Sequence, residues 1–205
     1  MARLSELGVD FEHWCFACGR ANPHGLHLEF EVARDRAMTT FTATREHTGY
    51  DGTVHGGIVT ALLDETMGWA IFHEGVWGVT GRISVVFRRP VPVGQELRVS
   101  AAVTKRTHRA IETQGTVASA DGTVLAEGDA LFLVMPEERR RELEQRYSRV
   151  DEAFARVRQA VAAEERERRA IESRGASSTS GVEAARRRPP KAGRAEREEK
   201  EHMRT

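Results

Sequence analysis

The chain has 205 residues with 31 basic and 31 acidic side chains, so its formal net charge is zero. That balance excludes the global positive field on which non-specific nucleic-acid binding depends. No apolar run approaches the roughly 20 residues that span a bilayer, and the start, MARLSELGVDFEHW, lacks the basic and apolar regions of a secretory signal. A soluble, cytoplasmic protein with no nucleic-acid or membrane partner is expected.

Charge is unevenly placed. Residues 1–136 hold 28 of the 62 charged side chains, and the 69 residues after Pro136 hold the other 34. All three tryptophans and both cysteines lie in the first part, where function is expected. Cys15 and Cys18 form a single CxxC, too few thiols for a disulfide scaffold, and reduced thiols are the default. With His13, His24 and His27 close by they offer zinc-type ligands, but one CxxC without a second pair is an incomplete site.

Taken in chain order, residues 26–32 and 38–43 are short β-like runs separated by the polar turn ARDRA. Residues 54–72 are the long helical candidate of this part, and Ile58, Leu62, Leu63, Met67, Trp69 and Phe72 leave it little polar face. Ile83, Val85 and Phe87 then alternate, as do Leu97, Val99, Ala101 and Val103, followed by runs at 111–117 and 124–134. Turns at 90–94, 105–109 and Asp121-Gly122 are short enough to pair these strands antiparallel. The expected class is α+β, a curved antiparallel sheet wrapped around one long central helix, and one sheet covers such a helix only in part. A second copy is expected to cover the rest.

After Pro136, residues 137–173 contain no Pro or Gly, and Leu143, Tyr147, Val150, Phe154, Val157 and Val161 alternate spacings of four and three. This predicts a charged amphipathic helix, lying on its own body or forming a short coiled coil between subunits. Residues 174–205 have almost nothing to bury and are expected to be disordered. The expected organisation is therefore 1–136, 137–173 and 174–205.

The central helix carries Asp64 and Glu65 at its middle, where an unpaired carboxylate is costly to bury. At its start, Gly56 and Gly57 leave their N–H groups unscreened at the positive end of the helix dipole, a donor site suited to a carbonyl oxygen becoming an oxyanion. A histidine and two glycines followed by an acid in the same helix is a more specific pattern than either part alone.

Three stretches in order, CFACGRANPHGLHLEF, GYDGTVHGGIVTALLDETMGWA and VTGRISVVFRRPVPVG, give residues 14–134 a resemblance to the PaaI/THEM-like hotdog-fold acyl-CoA thioesterases. The resemblance implies a hotdog fold acting as a homodimer or homotetramer with active sites at the subunit interface. It implies hydrolysis of an acyl-CoA thioester to a carboxylic acid and free CoA, with no cofactor. By the same resemblance Asp64 corresponds to the catalytic acid and Gly56 to the backbone donor, while His55 and Thr80 match implicated positions. Nine residues of helix put Asp64 nearly opposite His55, so one subunit could supply the donor and its partner the acid.

Many relatives carry Asn or Gln where this chain has Gly49, so a second polar contact to the substrate, beside the Gly57 amide, is either missing or supplied by Asn22, His47 or Tyr50. Glu65 is expected to support the acid or the structure around it, the alternative being that Glu65 is itself the base. Arg88 and Arg89 offer planar forks to the phosphates of CoA, and strand alternation lets at most one of them line the groove. In the resembling branch the cysteine motif is the lead-in to the first strand, so a structural turn without metal is expected. The other readings are an acyl-CoA-binding sensor that does not hydrolyse, and a hotdog dehydratase, against which the HGG-to-Asp pattern argues.

Overall fold

A computed structural model describes residues 1–6, 13–72, 76–146 and 148–186. The chain divides into two compact units, Met1–Glu165 and Arg166–Thr205. In the first, β1 (Ala2–Arg3), β2 (Glu31–Ala33) and β3 (Arg36–Thr42) precede the small hairpin β4 (Thr48–Tyr50) and β5 (Thr53–Val54). The central helix α1 (Gly56–Phe72) follows, then β6 (Gly78–Phe87), β7 (Glu96–Arg106), β8 (Ala110–Ser119) and β9 (Val124–Val134). Seven strands form an antiparallel sheet in the order β1-β2-β3-β7-β8-β9-β6. The helix contacts six of these strands, from β2 to β9, so the expected hotdog arrangement is the one observed.

Burial follows the sequence pattern closely. Leu97 and Val99 of β7, Ile111 and Val117 of β8, and Ala126 and Phe132 of β9 are buried on the helix side. From α1, Val59, Leu62, Leu63 and Met67 are fully withdrawn from water, each contributing about 1.5–3 kcal/mol. The helix can sit this close because Gly115 and Gly128 face each other across β8 and β9 beneath it. A Cβ at Gly115 would lie 3.1 Å from Leu63 and 3.2 Å from Met67, and one at Gly128 would lie 3.3 Å from Leu63. A side chain at either position would lift the helix.

Several boundaries differ from expectation for identifiable reasons. In the 26–32 run, Leu26, Leu28 and Phe30 are buried alternately as expected, yet the ladder begins only at Glu31. The amides of Leu26 and Leu28 bond instead to the carbonyls of Phe16 and Ala17, at 2.8 and 3.0 Å. Alternation marked a buried face, and the cysteine loop took the hydrogen bonds. Strand β6 starts at Gly78, ahead of its alternating apolar residues, because its first half is exposed and gives no hydrophobic signal.

The first compact unit runs to Glu165, past the position 136 at which the charge pattern changes, because part of the following segment packs within it. Two helices form, α2 (Glu137–Arg146) and α3 (Ser148–Arg186), and Val157 and Val161 of α3 are buried in the core of the first unit. Glu164 pairs with the Met1 amino group at 3.2 Å, and Glu165 with Arg34 at 3.5 Å. Leu143 of the expected stripe is half-buried; Tyr147 and the side chains of Val150 and Phe154 lie outside the described residues. Helix α3 runs past 173 to Arg186, consistent with the absence of proline before Pro189; Gly175 and Gly181 each weaken a helix by only about 1 kcal/mol.

In the second unit the stretch 166–186 of α3 carries an Arg168–Glu172 pair at 3.6 Å, and residues 187–205 of the expected tail lie outside the described residues. No described helix is long and apolar enough to cross a membrane.

Gly115→Val is expected to lower stability by about 1–3 kcal/mol in denaturant unfolding, because Leu63 and Met67 have no solvent to move into. An unchanged midpoint would contradict the close packing.

Candidate active site

Helix α1 begins at Gly56, one residue after His55, which follows the short strand β5. The His55 carbonyl accepts the Ile58 and Val59 amides, at 2.9 and 3.2 Å, and its ring Nδ1 accepts the Gly57 amide at 2.9 Å. His55 therefore caps the helix and consumes the Gly57 donor. The Gly56 N–H has no partner among the described residues, so the two glycines expected to act together divide: one closes the cap and the other remains available. Gly56 also meets the ring of Phe87, whose Cζ would lie 3.3 Å from an added Cβ.

The His55 backbone is held in turn by the hairpin. Its amide donates to the His47 carbonyl at 2.8 Å, and a Cβ at Gly49 would fall 2.9 Å from the His55 Cα. Glycine at 49 is thus required by the close approach of β4, and no polar side chain fits there in this backbone. The His47 ring accepts the Thr44 amide at 2.9 Å and stacks edge-on against Phe41. Tyr50 is 86% exposed beside this hairpin. Asn22 is committed to its own turn, its side-chain oxygen accepting the His24 amide at 3.0 Å.

Asp64 and Thr80 are brought together: the Thr80 hydroxyl donates to Asp64 Oδ1 at 2.8 Å. They meet at the free edge of the sheet, where β6 pairs with β9 on one side only and exposes Val79, Val86 and Phe87. His55 and Gly56 are not part of this pair. Nine residues at a rise of 1.5 Å separate His55 from Asp64 by about 13 Å along the helix, on nearly opposite sides. One chain therefore holds the donor and the acid at two separate places. The cavity lined by Glu29, Phe30, Met38 and Thr40, about 220 Å³, lies at the opposite end of the sheet from this pair.

Arg88 and Arg89 follow β6, and both amides donate to the Leu125 carbonyl, at 2.8 and 3.0 Å. Their side chains differ. Arg88 pairs with Glu127 at 2.7 Å, whereas Arg89 is exposed with no carboxylate partner among the described residues.

Glu65 turns away from Asp64. Its carboxylate contacts Cys18 Sγ at 2.7 Å and Cys15 Sγ at 3.6 Å, and accepts the Trp69 indole N–H at 3.2 Å. Burial, with the charge of Cys15 adding to it, lifts the Glu65 carboxyl to about 7. The Cys15 thiol is held down at about 5, chiefly by the hydrogen bond from Cys18 and against the cost of burial, while Cys18 is pushed upward as the proton donor of the pair. His13 is lowered by burial. The sequence did not connect Trp69 to Glu65, although their separation of four residues puts them on one helix face.

Residues 51–126 match the family model described as the thioesterase superfamily. The acyl-coenzyme A thioesterase THEM4 of Mus musculus is 26% identical over 125 residues, 58% of this chain and 54% of that protein. Acyl-coenzyme A thioesterase 13 of Homo sapiens is 29% identical over 100 residues, 47% of this chain and 71% of that one. The chain spans about half the length of the THEM4 relatives it matches. Among solved structures, a thioesterase superfamily protein aligns with a TM-score of 0.55 and 30% identity, covering 58% of this chain and 62% of that one. The Escherichia coli PaaI protein aligns at 0.51 and 19%, over 53% and 83%, and shares the fold. A hypothetical thioesterase from Streptococcus pneumoniae, solved with coenzyme A, also shares the fold at 0.51 and 19%, over 53% and 85%. Residues 51–126 are thus similar to the thioesterase superfamily, and the domain has the hotdog fold of the PaaI protein and the coenzyme A-bound thioesterase.

Proposed function

We propose that the chain hydrolyses an acyl-CoA thioester, with Asp64 and Thr80 of one protomer facing the Gly56 amide of another. The observation that carries this reading is the 2.8 Å bond between Thr80 and Asp64 at an unpaired, partly apolar strand edge, set apart from a free helix-terminal amide on the same chain. A ten-residue strand left with an open edge is a template for pairing with a second copy. Pairing along β6 would bring the acid to the partner's α1 terminus and give each protomer one half of two equivalent sites.

In the proposed reaction the thioester oxygen lies against the Gly56 N–H. The amide and the helix dipole stabilise the negative charge that develops on that oxygen. Thr80 fixes the Asp64 carboxylate so that it either takes a proton from the attacking water or attacks the carbonyl itself to form a mixed anhydride that water then opens. Both routes release a thiolate, a good leaving group, and need no metal at the reacting carbon. His55 acts on the backbone: by capping Gly57 it fixes the turn in which the Gly56 N–H is left unbonded among the described residues. Arg89 is the better placed of the two arginines to meet a CoA phosphate, since Glu127 already neutralises Arg88.

A panel of short, medium, long and aryl acyl-CoAs, followed by thiol release, tests the activity and defines the acyl group. Asp64→Asn is expected to reduce kcat by about 10²–10⁴ with the affinity for CoA kept, and Thr80→Ala by about 10–100-fold, the worth of one bond to a charged group. Glu65→Gln should retain most of the activity when folded; an active Asp64→Asn beside an inactive Glu65→Gln would reverse the assignment. Heavy oxygen from labelled water appearing in Asp64 after a single turnover supports the anhydride, and its absence leaves the water route. Tight binding of one acyl-CoA without turnover of any would replace the enzyme by a sensor.

Arg89→Ala is expected to raise KM several-fold at unchanged kcat, consistent with about 1 kcal/mol of phosphate contact, whereas Arg88→Ala should leave KM nearly unaltered. The reverse pattern, read in steady-state kinetics, would place Arg88 on the substrate.

A further inference from the structure

The proposed reaction leaves unused the cluster on the other side of α1. Cys15, Cys18 and Glu65 come from segments some fifty residues apart, yet their ligand atoms all lie within 4.8 Å of one another. His13 stands beside them, its Nε2 3.9 Å from Cys18 Sγ. A tetrahedral zinc with bonds of about 2.0–2.3 Å holds its ligand atoms about 3.3–3.8 Å apart. The Cys15–Glu65 distance of 3.6 Å and the Cys18–His13 distance of 3.9 Å are close to that scale, whereas the Cys18–Glu65 contact of 2.7 Å must open.

The backbone of the loop is built for a metal-binding sulfur. The N–H groups of Ala17 and Cys18 both donate to the Cys15 thiol sulfur, which favours the thiolate. Gly19 closes this turn with its amide on the Cys15 carbonyl at 2.9 Å, and an added Cβ there would fall 2.4 Å from the His13 carbonyl and 2.5 Å from Cys15. The CxxCG spacing is thus enforced sterically. The loop is also pinned at its far side by the amides of Leu26 and Leu28.

Charge gives the third reason. Glu65 is a half-buried carboxylate facing two sulfurs, and among the described residues no Lys or Arg pairs with it. Its remaining partner, the Trp69 indole, orients one oxygen as an outer partner of a metal ligand does. A divalent cation would neutralise what the protein leaves uncompensated.

We infer that Cys15, Cys18 and Glu65 bind a zinc ion, with His13 as the fourth ligand, and that this ion ties the loop of residues 13–28 to the middle of α1. The second ligand pair missing from the CxxC comes from the helix and from the residue two before the motif, which amends the expectation of a metal-free turn. Ligation through His13 Nε2 requires the proton on Nδ1, so binding gives up the long 3.3 Å bond from the Cys15 amide. Closed by four protein ligands, the site is structural. It does not depend on the hydrolysis proposed above.

The test uses the full chain, purified with a non-thiol reductant, stripped with a chelator and titrated with cobalt(II), then with zinc in competition. One cobalt per chain with thiolate-to-metal charge transfer and the strong visible bands of tetrahedral geometry is the expected result. Zinc should displace it and raise the thermal midpoint. Cys18→Ser, Cys15→Ser and Glu65→Gln should each weaken zinc by 10-fold or more. Absence of the charge-transfer band in the wild-type chain would overturn the proposal without reference to any variant, as would equimolar zinc that the three substitutions leave in place. Unchanged affinity in His13→Ala would remove His13 from the ligand set. An Asp64→Asn chain that is inactive but binds cobalt normally would separate this site from the reaction.

Discussion

The domain depends on the burial of α1 against a sheet from which two facing glycines have removed the side chains. Gly115 and Gly128 let Leu63 and Met67 rest almost on the strands, and that contact sets the height of the helix above every other group. A helix seated this deeply cannot easily keep charged residues at its centre, yet it carries two in succession. They are resolved in opposite directions. Asp64 leaves toward the open edge of β6, where Thr80 holds it in reach of water, and Glu65 turns inward to two sulfurs and an indole. About 100° of helix rotation between neighbours is enough to send them to separate environments.

The same helix explains why the proposed reaction needs two copies. Among the described residues its first turn offers one free amide, at Gly56, after His55 has taken the other, and its acid lies a little over two turns further on. No bending of a packed helix brings those groups together. An open strand edge with exposed Val79 and Phe87 next to the acid supports the alternative, in which symmetry supplies the missing half.

Much of this was legible in the sequence because the signals were local. The apolar run 54–72, the alternation in 97–103 and the DG turn at 121–122 each named an element that exists, and HGG with Asp64 named both ends of the proposed site. What the sequence did not disclose depended on contacts between distant segments. The bonds of Leu26 and Leu28 to the cysteine loop shortened a strand whose alternation was read correctly. The role of Gly49 became visible only when His55 was found 2.9 Å from where its side chain would be. The CxxC looked incomplete because its companion, Glu65, lies 47 residues from Cys18 along the chain and on another element. The apolar stripe of residues 143–161 could not say which surface it would meet; burial of Val157 and Val161 on the first unit answers that.

The central claim is that donor and acid come from different protomers, and one mixing experiment tests it most directly. Gly56→Pro deletes the oxyanion donor at the first helical position, where proline is tolerated, and Asp64→Asn deletes the acid. Neither variant alone should turn over an acyl-CoA. Refolded together in equal amounts, half of the dimers are mixed and each of these has one intact site of two, so about a quarter of the wild-type activity should return. No recovery from a mixture whose mixed dimers are shown to form by mass would mean that one chain holds the whole site, and would contradict the account.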